Sequence, residues 1–395
     1  WLVEDGLKGG NEHNDSLLDR YALATCFFTW TNGNYFEWNT AMGWISDKSV
    51  CSWFGITCND NGSATHINLG KNRLSGSIPA EISFLRQLMS LNLKGNNLHG
   101  TIPTEMGRLE NLAELTLHEN SIGGYIPTEL GHITILKDLD LSSNQVTGSL
   151  PTSIGSCTAL RAVRLHENQI VGTIPSHIGL LSNIEVMSFS QNYLSGTIPT
   201  NIGSCTVMKK LHLERNSIKG TIPTEIGLLS DLAEINFSPN RLFGTIPSTI
   251  GNLRNLTYFA LFSNSMTGAI PKEIGSLTLL KRFDLHSNYF TVTIPTEIGS
   301  LDELKYIDVH NNNLSGSIPS NIGNCLRLEY LDVSFNRRLK GSLPWEIAKL
   351  SNLEEFSFSN TELTGTIPSE ICSSQQINSK NFDGNDIVEC DCCDK

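Results

Sequence analysis

Proline recurs with a fixed period of 24 along most of the chain, at Pro79, Pro103, Pro127, Pro151, Pro175, Pro199, Pro223, Pro247, Pro271, Pro295 and Pro319. Pro344 and Pro368 follow after steps of 25 and 24. A fixed period of this length marks a solenoid, in which one supersecondary unit buries its apolar face only against its neighbours. A regular stack makes long recognition surfaces far more readily than deep catalytic clefts.

Residues 88–111, LMSLNLKGNNLHGTIPTEMGRLEN, show the unit most clearly. Leu91 and Leu93 alternate with period 2 and predict a short strand, with every other side chain turned inward. Copies stacked about 4.8 Å apart make one long parallel sheet. Ile or Leu precedes every repeat proline, and Ile, Leu or Met stands three residues after it. An Asn column keeps the proline period from Asn72 to Asn312, continues at Asn336, is interrupted at Thr361 and resumes at Asn385. An inward amide both donates and accepts, so it satisfies the backbone groups of a sharp bend that no strand can pair. Gly stands one residue ahead of nearly every Ile-Pro pair, as at Gly76, Gly100 and Gly124, and marks a tight bend; Val292 is the exception.

The order Leu-x-x-Leu-x-Leu-x-x-Asn-x-Leu-x-Gly-x-Ile-Pro resembles plant-type leucine-rich repeats, a pattern also found in algal proteins. The likeness covers roughly residues 60–390 and recurs thirteen times. It implies an α/β solenoid: a curved, right-handed stack of about 13–14 turns, with the long parallel sheet on the concave side and a smaller sheet along one flank. The expected divisions are an N-terminal cap over 1–60, the solenoid over 61–371 and a C-terminal cap over 372–395. Caps are needed because the end turns otherwise expose apolar core.

Ser16-Leu-Leu-Asp19 resembles a capping box, and 16–29 reads as a helix with Leu17, Tyr21 and Phe28 on one face. Cys51-Ser-Trp53-Phe-Gly55-Ile-Thr-Cys58 resembles the cysteine cap of plant-type repeats, which implies a Cys51–Cys58 disulfide. Cys372, Cys390, Cys392 and Cys393 are expected to form the C-terminal cap, with Cys372 bonded into the tail. A zinc site on the last three lacks His and normal spacing, so neither metal nor cofactor is assigned. Cys157, Cys205 and Cys325 stand six residues after a repeat proline and read as small buried hydrophobes. That leaves seven cap cysteines, an odd number, with Cys26 as the expected unpaired one. Cap disulfides point to an oxidising, extracellular setting.

Asn14, Asn61, Asn236, Asn255 and Asn313 open Asn-x-Ser/Thr sequons and are the expected glycan sites of a secreted chain. No apolar run is long enough to span a membrane. The start at Trp1, without Met or leader, reads as that of a mature or trimmed product, and a membrane segment after Lys395 in a precursor fits it equally. Secreted, wall-associated and ectodomain settings all stay open. The formal net charge of −12 disfavours nucleic acid and anionic membrane as partners.

The side chains 13, 11 and 9 residues before each proline point out of the long sheet. In the N-terminal half they are mixed. In the C-terminal half they converge: Tyr258 with Phe262, then Arg282, Asp284 and His286, then Tyr306, Asp308 and His310, then Tyr330 and Asp332. Stacked aspartates about 5 Å apart repel by roughly 1 kcal/mol in water and several at lower dielectric. Arg282, protonated histidine, a cation or a basic partner would offset that. Two readings stand: a recognition patch for peptide, protein or sugar, and a solvated face copied by repeat duplication. Calcium on the aspartates lacks enough converging oxygens, and a glycosidase pair needs a cleft. No catalytic motif is present, so the chain is read as non-enzymatic.

Along the flank, Thr101, Thr173, Thr197, Thr221, Thr245, Thr293 and Thr366 precede the Ile-Pro pair, and Thr104, Thr128, Thr200, Thr224 and Thr296 follow it. Good β-propensity explains them, and a regular array also suits an ordered surface such as ice or a crystalline polysaccharide. The step of 25 lies at Asn336-Arg337-Arg338-Leu339, near Trp345, and reads as a bulge that is either a contact point or a harmless insertion. Extracellular recognition through the concave face is the leading function. The alternative is a wall or matrix protein that self-associates into filaments, and surface binding through the flank threonines is a third.

Overall fold

The computed structural model describes residues 14–31, 38–367, 379–381 and 388–389. Cys372, Cys390, Cys392 and Cys393 lie outside the described residues, as does the sequence around Pro368. Two compact units are delimited at Leu194 and Ser195. Each is a leucine-rich repeat solenoid.

One turn shows how the sequence makes the element. In Ser90–Asn92, Leu91 is buried between two outward polar side chains. Leu93, Leu98, Ile102, Met106, Leu109 and Leu112 complete the inward set. Pro103, at φ −69°, leads into a 3₁₀ segment over Thr104–Arg108, closed by Met106 N–H to Pro103 O (3.1 Å) and Leu109 N–H to Met106 O (3.0 Å). Gly107 is small because a Cβ there would lie 2.4 Å from Glu129 O of the next turn. Short connections of this kind close each turn within one proline period.

Asparagine joins consecutive turns. Asn96 Oδ1 accepts from Leu74 N–H (3.0 Å), while its Nδ2 donates to Leu69 O (2.9 Å) and Leu93 O (2.8 Å). The same bonds recur up the stack, for example at Asn168 and Asn312. On the flank, the residue before Thr-Ile-Pro takes a positive φ, from Gly100 at +74° to Gly365 at +96°. Val292 holds the same conformation at +67°, a strained place for a β-branched residue.

In the first unit, Ile56–Cys58 pairs antiparallel with Ala64–Asn68. Parallel strands Ser90–Asn92, Glu114–Thr116, Asp138–Asp140, Ala162–Arg164 and Val186–Ser188 follow. The helix runs Asn14–Trp30. Its buried face is Ala22, Leu23, Cys26, Phe27 and Trp30, not the predicted one: Leu17 is 43% and Phe28 49% exposed. The sequence is apolar most of the way round, so periodicity alone offers two faces. The backbones approach closely near the helix end, where a Cβ on Gly76 would sit 2.1 Å from Thr29 O. Asp19 is 2% exposed, and its Oδ2 accepts from Ala64 N–H (2.7 Å), tying the helix to the sheet.

Phe27, Trp38, Trp44 and Trp53 form a chain of rings at 5.0–5.2 Å beneath the helix. Cys51 and Cys58 are joined by a disulfide, with Cα atoms 5.5 Å apart. Cys26, Cys157, Cys205 and Cys325 are buried thiols outside any disulfide. Cys157 and Cys325 each donate to a carbonyl of the preceding turn, at 3.3 Å. Burial pushes Cys157 and Cys205 up to about 11 and Cys325 up to about 12, so none is a ready nucleophile.

In the second unit, the parallel strands are Lys210–His212, Glu234–Asn236, Tyr258–Ala260, Arg282–Asp284, Tyr306–Asp308, Tyr330–Asp332, Glu355–Ser357 and Ser379–Asn381. Their register places Tyr258, Arg282, Tyr306, Tyr330 and Glu355 side by side. Ala260, Asp284, Asp308, Asp332 and Ser357 form the next column.

Candidate functional site

All ten residues singled out on the open face lie together on the second unit, seven in the strands of its sheet and Phe262, His286 and His310 two residues past the strand ends. The strands carry them in three columns, because only every second residue faces outward. In the first column, Tyr306 and Tyr330 stack with ring centres 4.2 Å apart and planes at 11°. The Arg282 guanidinium lies 3.8 Å from the centre of the Tyr306 ring and 5.8 Å from that of Tyr258. In the third column, Phe262, His286 and His310 stack at 4.5 and 4.6 Å, each pair at 7°.

The aspartates between these columns are not the solvated groups that their outward position predicts. Asp284 is fully buried and Asp308 is 3% exposed. Rings on both sides close over them, and charged or polar donors replace the lost water, as burial of a carboxylate demands. Asp284 accepts from Arg282 Nη2 (2.7 Å) and pairs with His286 Nδ1 (2.6 Å). Asp308 pairs with His310 Nδ1 (2.7 Å) and accepts from Tyr306 Oη (3.2 Å) and the His310 N–H (3.1 Å). Asp332 is held from one side by the Ser334 N–H (2.8 Å) and hydroxyl (2.5 Å). Its other oxygen lies 3.8 Å from His310 Nδ1. The site is therefore two layers: carboxylates below, half-buried Tyr, Arg, His and Phe above.

Electrostatics follow from these layers. The Asp308 hydrogen bond raises the His310 pKa, against the opposing effect of burial. Burial, reinforced by Asp308, pushes the Tyr306 and Tyr330 phenols up, so both stay neutral donors. Burial also raises Asp332, with the Ser334 bonds opposing it. Glu355 is raised by burial and then by Asp332 and Asp308. Glu355 and Ser334 belong to the site although neither is aromatic or part of the Asp and His pattern. Their only sequence signal is place in the columns.

His286, Asp308 and His310 bring potential ligand atoms within 4.8 Å of one another. The two imidazoles are nearly coplanar in orientation and stacked, so an ion in the plane of one ring lies off the plane of the other. This arrangement is a hydrogen-bonded stack; coordination would require a ring to turn out of it. In the first unit the outward charges pair locally, as Arg164 does with Asp138 at 2.8 Å.

Elsewhere, the flank threonines are exposed. Their array is broken by Tyr125, 71% exposed, in the column before Ile-Pro. Thr104, Thr128, Thr224 and Thr296 donate to neighbouring Glu carboxylates at 3.1–3.2 Å. A flank groove of about 690 Å³ is lined by Thr293, Thr296, Ser317, Asn321 and Glu346, among others. The extra residue of the longer step begins the strand Arg338–Ser342. Trp345 is 64% exposed, and Lys349 Nζ lies 4.6 Å from its ring centre. Of the sequons, Asn61, Asn255 and Asn313 are exposed, whereas Asn236 is part-buried in the open face; Asn14 lies in the helix.

Leucine-rich repeat models match residues 86–146 and, as single repeats, 136–157, 183–205, 279–301, 303–325 and 352–374. A TDR receptor structure is 33% identical with a TM-score of 0.77, over 80% of this chain and 55% of that one. PEPR1, from its structure with AtPEP1, is 31% identical with a TM-score of 0.86, over 94% of this chain and 52% of that one. The plant peptide hormone receptor RGFR1, in complex with RGF2, is 28% identical with a TM-score of 0.60, over 86% of this chain and 72% of that one. The chain spans about half the length of the first two receptor chains. No curated protein sequence matches it.

Proposed function

We propose that the chain is an extracellular, non-catalytic recognition module that binds its ligand on the open face of the second unit, across Tyr258–Asp332. Among peptide, protein and carbohydrate ligands, the likeness to a plant peptide hormone receptor favours a polypeptide. The observation that carries the reading is the two-layer cluster. Its Arg282, His286, Tyr306 and His310 are held by buried carboxylates before any ligand arrives, and such preorganisation lowers the entropy cost of binding. Tyr and Arg are also the residues over-represented among binding hot spots. The Asp284 and Asp308 carboxylates are enclosed and internally paired, which suits holding a surface rather than attacking a substrate.

The Cys51–Cys58 disulfide and the exposed sequons support an extracellular setting. Among the described residues no helix is long and apolar enough to cross a membrane. The C-terminal cysteines and the cap boundaries at 60 and 372 belong to this proposal as well.

The test is affinity selection of a displayed random peptide library on the chain. Selected peptides are then titrated against wild type and a Tyr306→Ala, Tyr330→Ala double variant. That variant removes the two stacked tyrosine rings of the upper layer and leaves Asp284 and His286 paired. The expected loss is at least tenfold, corresponding to about 1.4 kcal/mol. Failure to select any peptide, or equal binding by the double variant, refutes this placement.

A further inference from the structure

We infer that the ligand presents an arginine, whose guanidinium docks beside Tyr330 between the carboxylates of Asp332 and Glu355. This rests on the open face of the second unit being the binding surface. The template for such a contact is already inside the protein. Arg282 lies on the Tyr306 ring, 3.8 Å from its centre, and gives a 2.7 Å hydrogen bond to Asp284 in the adjoining column. Cation, ring and carboxylate form one recognition unit.

Further along the sheet the same unit recurs without its cation. Tyr330 turns one face to Tyr306, and on its other side its neighbour in register is Glu355. The adjoining column supplies Asp332. Among the described residues, the only basic side chain within 4 Å of Asp332 is His310, its Nδ1 3.8 Å away, against the 2.7 Å contact that serves Asp284. Glu355 has no ion pair among the described residues. Burial raises the pKa of both carboxylates, and each is raised further by neighbouring acids. Both therefore gain from an incoming positive charge. On the same turn, Ser359 is 1% exposed and its hydroxyl has no partner among the described residues. Among the described residues, this end of the face thus carries one unpartnered hydroxyl and two carboxylates without a close cation.

The geometry selects guanidinium over ammonium. A planar fork lies flat against a ring while directing N–H groups to two carboxylates, and the compact, strongly hydrated ammonium does neither as well. The contact is a copy, made by the ligand, of one the protein makes with itself.

Peptides selected on the full chain test this. Arginine enrichment is expected, and replacing that arginine with citrulline, which keeps the shape and removes the charge, should weaken binding at least tenfold. Glu355→Gln should cause a similar loss at a melting temperature no lower than that of wild type, with Tyr330→Leu as an independent second variant. Peptides that need the Tyr306 and Tyr330 rings but tolerate citrulline and Glu355→Gln overturn the arginine inference and leave the binding surface standing. Lysine serving as well as arginine overturns it too. A library that yields no binders overturns both.

Discussion

Asn288 occupies a place where the chain bends too sharply for any strand to pair its backbone. Its Oδ1 accepts from Met266 N–H (2.9 Å), and its Nδ2 donates to Leu261 O (2.8 Å) and Leu285 O (3.1 Å). The side chain is 5% exposed, so water cannot replace these bonds. Asn288→Ala should therefore cost about 3 kcal/mol, since each buried polar group left unpaired costs roughly 1–3 kcal/mol. The change should appear as a lower midpoint in urea unfolding, and a midpoint within error of wild type would contradict the assigned role. This column was legible in the sequence because its partners are backbone atoms, which every turn possesses whatever its side chains. Val292 was legible as an irregularity for the same reason: the bend demands φ > 0 there, and glycine supplies it elsewhere.

At the scale of the strands, the cluster links ring stacking to proton binding. The His310 pKa is raised above 6.5 in the folded chain, chiefly by Asp308. Its contribution to stability is fully present below pH 6.5 and is lost as pH rises through the raised folded value. Asp332 and Glu355 are raised too, so their ionisation costs the folded state, and that cost is complete above their folded values. All three act in one direction. The melting temperature should be higher near pH 6 than near pH 8, and His310→Gln should shrink the difference; an undiminished difference would remove His310 from the explanation. The columns themselves could be read by phasing residues against the prolines. The depth of Asp284 and Asp308 could not, because it depends on how far Tyr306, His286 and His310 lean over them. The helix itself was legible, but its buried face was not, for a related reason: two apolar faces were available, and the choice between them was made by the close approach at Gly76.

For the molecule as a whole, the formal charge of −12 sets copies against one another. Among the described residues, the large exposed hydrophobics are spread from Leu17 to Trp345 rather than gathered into one run of the sequence. Sedimentation velocity at about 0.15 M salt, where charges are screened beyond roughly 8 Å, should give a monomer. Filaments under those conditions would favour the structural alternative over recognition. The bonds made by the Asn column also bear on how such a chain can change its length. Each is addressed to main-chain atoms one turn away, and so amounts to a connector of standard gauge. A duplicated stretch one full period long would arrive with matching fittings at both ends, so gain or loss of whole turns would leave the Asn ladder unbroken. A single added residue has no such fittings and must be absorbed inside one turn, as it is at Arg337 and Arg338, where the surface varies while the ladder through Asn336 stays intact.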